Sequence, residues 1–194
     1  MNKAESKERI RRECRERRAS MDSEEWRSAS SLIAENVAGI QEFREARTVM
    51  MYLSMNERRE VDTAPLISLC ASFGNSSLYV PVTRGETLCM VPFNEGDEVT
   101  DGRFGQPEPV SDNGCADVLP DVVILPVVAV DREGRRLGYG KGYYDRFIAG
   151  LRLQGATPFT LAVAFSFQLV SHVPEDPWDE KIDCVVTEKE VVRF

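Results

Sequence analysis

Residues 135–145 read Arg135-Arg136-Leu137-Gly138-Tyr139-Gly140-Lys141-Gly142-Tyr143-Tyr144-Asp145. An apolar run, Val122 to Val130, leads into this stretch, and a helix-like run, Tyr143 to Leu153, leads out of it. Strand, glycine loop, helix is the order in which a chain presents backbone N–H groups to a phosphate. Glycines at alternate positions let a ligand approach the backbone, because no Cβ intervenes. Lys141 and Arg136 can neutralise phosphate charge, and Asp145 can hold a magnesium ion. Neither common phosphate loop matches. A G-x-x-x-x-G-K-[ST] loop fails because Gly142 follows Lys141, and G-x-G-x-x-G fails because Tyr143 stands where a third glycine belongs. On these residues alone a charged surface hairpin or turn stays open.

The rest of the chain alternates helix and strand patterns. Residues 3–20 are dense in charge, with Ile10 and Cys14 as a narrow apolar face and Lys7 and Arg11 four apart on another. The pattern reads as a solvated helix. Asp22 or Ser23 caps a second helix running to about Gln41, with Glu24 and Glu25 in its first turn. Thr48–Leu53 reads as a buried strand. Thr63–Phe73 follows as a helix with Pro65 in its first turn, stopped by Gly74-Asn75. Leu78–Val82 and Leu88–Phe93 read as strands, and Asn94–Leu119 as irregular structure long enough to suggest a functional segment. Val122–Leu125, Pro126 and Val127–Val130 form the central strand that delivers the glycine loop. Phe159–Phe165 and Ile182–Thr187 are further strands, with an acidic loop, Val173–Glu180, between them. The alternation predicts one α/β domain over residues 1–194, with a mostly parallel central sheet flanked by helices.

The net charge of -8 argues against nucleic acid as a partner, and an anionic substrate therefore needs a local basic pocket. Basic residues gather in two places, Lys3–Arg18 and Arg132–Lys141. The five cysteines are scattered and odd in number, which reads as free thiols in a reducing cytosol. The single histidine, His172, offers no zinc spacing and, beside Ser171, no triad. No signal-peptide core or membrane-spanning run is evident, so a cytoplasmic protein acting as a monomer on small molecules is expected. Glu60 and Asp62, just past a strand end, can accept hydrogen bonds from a substrate or form an exposed acidic turn. Asp183 reads as a turn residue at a strand start.

The stretch Arg136-Leu137-Gly138-Tyr139-Gly140-Lys141-Gly142-Tyr143-Tyr144-Asp145 resembles the signature of the 5-formyltetrahydrofolate cyclo-ligase family. Lys7-Glu8-Arg9-Ile10-Arg11, Met21–Glu25, Glu60-Val61-Asp62-Thr63, Phe104-Gly105-Gln106-Pro107-Glu108-Pro109 and Asp179-Glu180-Lys181-Ile182-Asp183 resemble further family segments, in the family's order. Gln106 departs from a usual apolar residue, and the Ser54–Glu60 turn is longer than in some relatives. The resemblance implies an α/β fold similar to sugar-phosphate isomerases and CoA transferases. It implies ATP-dependent conversion of 5-formyltetrahydrofolate to 5,10-methenyltetrahydrofolate with magnesium. By position, Lys7, Arg11, Arg136, Leu137, Gly138, Tyr139, Gly140, Lys141, Gly142, Tyr143 and Tyr144 would bind ATP, with Arg136 and Lys141 serving catalysis. Leu53, Glu60 and Tyr139, Gly140, Lys141, Gly142 and Tyr143 would contact the folate, and Asp145 and Asp183 would hold magnesium. The rival readings are an ATP-independent isomerase on a related fold, which needs a general base, and a nucleotide-binding regulatory module.

Overall fold

A computed structural model describes residues 2–74, 76–110 and 114–194. Helices α1 (Lys3–Ala19), α2 (Ser23–Ala38) and α3 (Gln41–Glu45) precede strand β1 (Thr48–Met51), helix α4 (Ala64–Phe73), and strands β2 (Ser77–Arg84) and β3 (Thr87–Pro92). A small hairpin, β4 (Val99–Asp101) and β5 (Pro107–Pro109), interrupts the long irregular segment. Strands β6 (Val122–Pro126), β7 (Ala129–Asp131) and β8 (Arg136–Leu137) lead to α5 (Tyr143–Leu153). Strands β9 (Phe159–Val163), β10 (Leu169–Val170), β11 (Cys184–Val186) and β12 (Val191–Arg193) end the chain. Helix ends follow local chemistry. Asn2 and Glu5 form a reciprocal capping box at α1, and the Asp22 side chain accepts from the N–H groups of Glu24 and Glu25 at α2. Gly74, at φ 67°, ends α4; Asn75, expected to share that role, lies outside the described residues.

The main sheet has the order β12-β11-β9-β6-β1-β2-β3. The pairs β11/β9, β9/β6, β6/β1 and β1/β2 are parallel, and the two outer pairs are antiparallel. The period-2 alternation of buried strands sorts side chains onto two faces. Val49, Met51, Val122, Ile124, Leu161 and Val163 join a core with α2 and α4, through residues such as Ile33, Val37 and Leu66. Met50, Val123, Leu125, Ala162 and Val185 face the other way, onto Ile148 and Leu151 of α5. Each fully buried aliphatic side chain contributes about 1.5–3 kcal/mol.

Two expectations are corrected. The run Val122–Val130 is two strands rather than one. After β6 the chain enters a separate three-stranded sheet, β10-β7-β8, where the Val128 N–H donates to the Leu137 carbonyl at 2.7 Å. The glycine loop is therefore delivered by the β7–β8 hairpin and not directly by the central strand. The cysteines are not all free: Cys89 of β3 and Cys115 form a disulfide, while Cys14, Cys70 and Cys184 are buried thiols. The argument from free thiols to a reducing compartment loses its basis accordingly. None of the described helices is long and apolar enough to cross a membrane.

Candidate active site

The strand order reverses between β1 and β6: from β1 the chain moves to β2 and β3, and from β6 it moves the other way, to β9 and β11. Open α/β sheets bind ligands outside the carboxyl ends of strands at such a point. Tyr52 and Leu53, after β1, and Pro126, ending β6, line a cavity of about 900 Å³ there. Helix α1 forms another wall, because Ile10 and Cys14 pack on Val128, just before β7, and on Ala129 and Leu137 of the small sheet. That packing turns Lys7 and Arg11 from solvent towards the glycine loop, so the helix is not merely a solvated one. The Arg11 Nε donates to the Gly138 carbonyl at 3.0 Å.

The glycine loop itself has two positions that need glycine. Gly140 has φ 87° and a Cβ there would lie 3.1 Å from the Arg11 guanidinium; Gly142 has φ 68° and a Cβ would lie 2.9 Å from Arg146. Gly142 opens α5 with no side-chain cap, so the first N–H groups of that helix are left for a ligand.

The lining brings together six basic side chains, Lys7, Arg11, Arg58, Arg136, Lys141 and Arg146, against four acidic ones, Glu60, Asp145, Asp176 and Asp179. The cavity is thus locally basic in an acidic chain. Several of these charges are already paired. Lys7 Nζ lies 2.8 Å from Asp176 and 2.7 Å from Asp179. Burial alone would lower the Lys7 pKa, but the hydrogen bonds and charges of those carboxylates outweigh it and hold the pKa above its ordinary value. Arg136 Nη2 donates to Asp145 Oδ1 at 2.7 Å; burial lowers the arginine's pKa against the opposing pull of that carboxylate. Lys141 stands with its ammonium 5.9 Å from the Phe104 ring centroid, and Tyr143 meets the same ring at 5.6 Å.

Glu60 is 3% exposed. Its Oε2 accepts the Met55 N–H at 2.8 Å, and its Oε1 accepts from the Tyr139 hydroxyl. Burial pushes the Glu60 carboxyl above its ordinary range, against the pull of the Met55 N–H, Tyr139 and the Arg18 and Arg58 charges. Burial and the Glu60 charge push Tyr139 up to about 12. Gln106 is absorbed by the loop it sits in: its Nε2 donates to Thr83 Oγ1 at 3.1 Å and Glu108 Oε1 at 2.9 Å, and its Oε1 accepts the Phe104 N–H.

The cavity therefore gathers Lys7, Arg11, Leu53, Glu60, the whole Arg136–Tyr144 stretch and Asp145. It does not gather Asp183. That residue precedes β11, and its Oδ2 accepts the Thr160 N–H at 2.8 Å and hydroxyl at 2.6 Å near the start of β9. Both positions are at the amino ends of parallel strands, opposite the cavity. The carboxylates that the fold brings to the cavity along with Asp145 are Asp176 and Asp179, from the acidic loop. Among the described residues no group of three or more His, Cys, Asp or Glu side chains is arranged to hold a metal by itself. The donor set still suits magnesium carried with a nucleotide, which takes one or two carboxylates and completes its shell with phosphate oxygens and water. Sequence reasoning missed Arg18, which is 3% exposed and donates to the Tyr139 hydroxyl at 2.8 Å. The available signal was its place four residues after Cys14, on the stripe begun by Ile10.

Comparison with known proteins places the whole chain in one family. The model of the 5-formyltetrahydrofolate cyclo-ligase family matches residues 3–188. The 5-formyltetrahydrofolate cyclo-ligase of Escherichia coli (strain K12) is 32% identical over 184 residues, covering 91% of this chain and 97% of that protein. The Mus musculus enzyme of the same name is 27% identical and covers 92% of each chain. The NMR structure of Aquifex aeolicus 5,10-methenyltetrahydrofolate synthetase superposes with a TM-score of 0.79 at 32% identity, covering 96% of this chain and 92% of that one. The chain belongs to the 5-formyltetrahydrofolate cyclo-ligase family.

Proposed function

We propose that this protein converts 5-formyltetrahydrofolate to 5,10-methenyltetrahydrofolate and couples the ring closure to ATP cleavage. The observation that carries the reading is the single cavity in which Lys7, Arg11 and the glycine loop lie beside Leu53, Glu60 and Phe104. The first set suits a triphosphate and the second a flat heterocycle with N–H donors. The formyl oxygen is a poor leaving group as it stands. Transfer of the γ-phosphoryl group to that oxygen gives an imidate-like phosphate ester. N10 attacks the formyl carbon, the C–O bond breaks, and inorganic phosphate departs with the former formyl oxygen while N10 loses its proton. Such chemistry asks the protein for alignment and charge neutralisation rather than for a nucleophile. Arg136, Lys141 and the α5 N-terminus supply charge and N–H donors to the phosphates, and Lys7 and Arg11 reach them from α1. Magnesium would be held by Asp145 and the phosphate oxygens, with Asp176 and Asp179 as the other carboxylates at hand. When bound it supplies additional neutralisation of developing charge. Glu60 accepts hydrogen bonds from the pterin edge.

The test is purified protein with ATP, magnesium and 5-formyltetrahydrofolate, followed by the near-ultraviolet absorbance of the methenyl product. Appearance of product only with ATP supports the reading. Nucleotide binding without product favours a binding module, and ATP-independent turnover of sugar phosphates favours the isomerase.

A further inference from the structure

Among the described residues, Arg18 is a buried guanidinium with no carboxylate paired to it. It is 3% exposed, its Nη2 donates to the Tyr139 hydroxyl at 2.8 Å, and its Nε has no hydrogen-bond partner among the described residues. A buried charge left with so little compensation is destabilising in isolation, so what it does for its neighbour matters. Arginine has donors and no acceptor. The Tyr139 oxygen must therefore accept from Arg18, and the hydroxyl proton is turned towards Glu60. Glu60 then receives a donor on each oxygen, the Tyr139 hydroxyl on Oε1 and the Met55 N–H on Oε2. A protonated carboxyl keeps some acceptor capacity but is the weaker acceptor for both donors, so both bonds strengthen when Glu60 is ionised. The wiring thus favours the carboxylate and offsets part of the burial that favours its neutral form.

We propose that Arg18 is a positioning residue that, through the Tyr139 hydroxyl, holds Glu60 as an acceptor-only carboxylate facing the folate. This rests on the proposed reading of the cavity, in which Glu60 meets paired N–H donors of an aminopyrimidinone edge. The groups facing Glu60 come from every side: Arg18 from α1, Arg58 from the turn after β1, Tyr52 from the end of β1, Tyr139 from the glycine loop and Tyr144 from α5. Of these only Tyr139 bridges Glu60 to a second charge. Its ring is clamped in place by cations, with the Arg15 and Arg58 guanidinium carbons 5.5 Å and 5.9 Å from its centroid.

The experiment is the pH profile of kcat/KM for 5-formyltetrahydrofolate in the wild type, Arg18→Leu, Arg18→Lys, Tyr139→Phe and the Arg18→Leu/Tyr139→Phe double variant. Folate affinity without ATP is measured by calorimetry alongside. Arg18→Leu is expected to move the acid limb up by about one pH unit, equivalent to a ~10-fold loss of folate affinity on that limb, with KM for ATP within about twofold. Arg18→Lys should recover most of the shift. Tyr139→Phe, which removes only the hydroxyl, should reproduce it, and the double variant should lose no more than either single one. An unmoved acid limb in Tyr139→Phe, or losses that add in the double variant, overturns the proposal. Tyr139→Phe and Arg18→Lys decide it even if Arg18→Leu does not fold. An inactive wild type that does not bind folate would count against the proposed function itself, whereas an active wild type with unmoved variants counts against Arg18 alone.

Discussion

Lys141→Ala is the substitution whose effect the site defines most sharply. Among the charges lining the cavity, Lys7 is committed to Asp176 and Asp179, Arg136 to Asp145, and Arg11 to the Gly138 carbonyl and Glu8. Among the described residues Lys141 pairs with no carboxylate, and its ammonium lies over the Phe104 ring. Of these four it is the cation that can meet a phosphate without first releasing a protein acceptor. Two unit charges 4 Å apart interact by roughly 4 kcal/mol at an effective dielectric of about 20. Water and the neighbouring arginines recover part of that, so about 2–3 kcal/mol of transition-state stabilisation is at stake. The expected loss in kcat is ~30- to 150-fold at saturating ATP and folate. Lys141 is an exposed side chain, so thermal stability should change by no more than about 0.5 kcal/mol. The assay is methenyl absorbance in steady state, with a melting curve on the same preparation. A variant within about threefold of wild type in kcat, with an unchanged melt, would refute the assigned role, because a neutralising charge at the transferred phosphoryl group cannot be removed that cheaply.

Lys7→Met leaves Asp176 and Asp179 unneutralised at the cavity, so it should raise KM for ATP by ~10-fold or more and KM for folate much less, as separate titrations would reveal. Breaking the Cys89–Cys115 disulfide, which spans 26 residues and encloses the segment carrying Phe104 and Gln106, should lower stability by about 3.5 kcal/mol on a chain-entropy basis. Denaturant melts of Cys115→Ser against wild type, each with and without reductant, check this; identical midpoints would contradict it. Glu42 is paired with Arg193 at 2.7 Å and its pKa is lowered to about 2, chiefly by that hydrogen bond. A depressed carboxylate stabilises above its unfolded pKa and loses that contribution as pH falls through its folded one. Glu42→Gln should therefore cost ~0.2–1 kcal/mol at neutral pH, since the pair is solvent-screened, and the difference should vanish between about pH 4.5 and 2.

The strands of the main sheet were legible because buried β-strands announce themselves as apolar runs. Their limits were not. Val122–Val130 is apolar throughout, and periodicity carries no mark of the step at Val127 and Val128 where the chain leaves one sheet for another. The charge-dense first helix was visible as a helix, and Arg18, unlike Arg17, continues the i, i+4 stripe of Ile10 and Cys14. What the pattern did not show is that this stripe is buried, which follows from the packing of Ile10 and Cys14 on Ala129 and Leu137. The glycine loop was legible as chemistry, since its residues are contiguous. The acidic loop was recognised as a loop, yet its partnership with Lys7 joins residues about 170 apart and no local pattern encodes it. Asp183 illustrates the converse: a position matched in order along the chain lies at the amino end of its strand, where the Thr160 N–H and hydroxyl occupy it. The disulfide partners likewise share no spacing signal; Cys115 lies beside β3 because the Ala116 N–H donates to the Met90 carbonyl at 2.8 Å.

The central claim is that ATP activates the formyl oxygen for displacement by N10. The direct measurement is turnover of 5-formyltetrahydrofolate labelled with oxygen-18 in its formyl group, with mass analysis of the phosphate released. One labelled oxygen is expected in each inorganic phosphate formed, in step with ADP and methenyl product. Label released to water, or product formed without ADP, would contradict it.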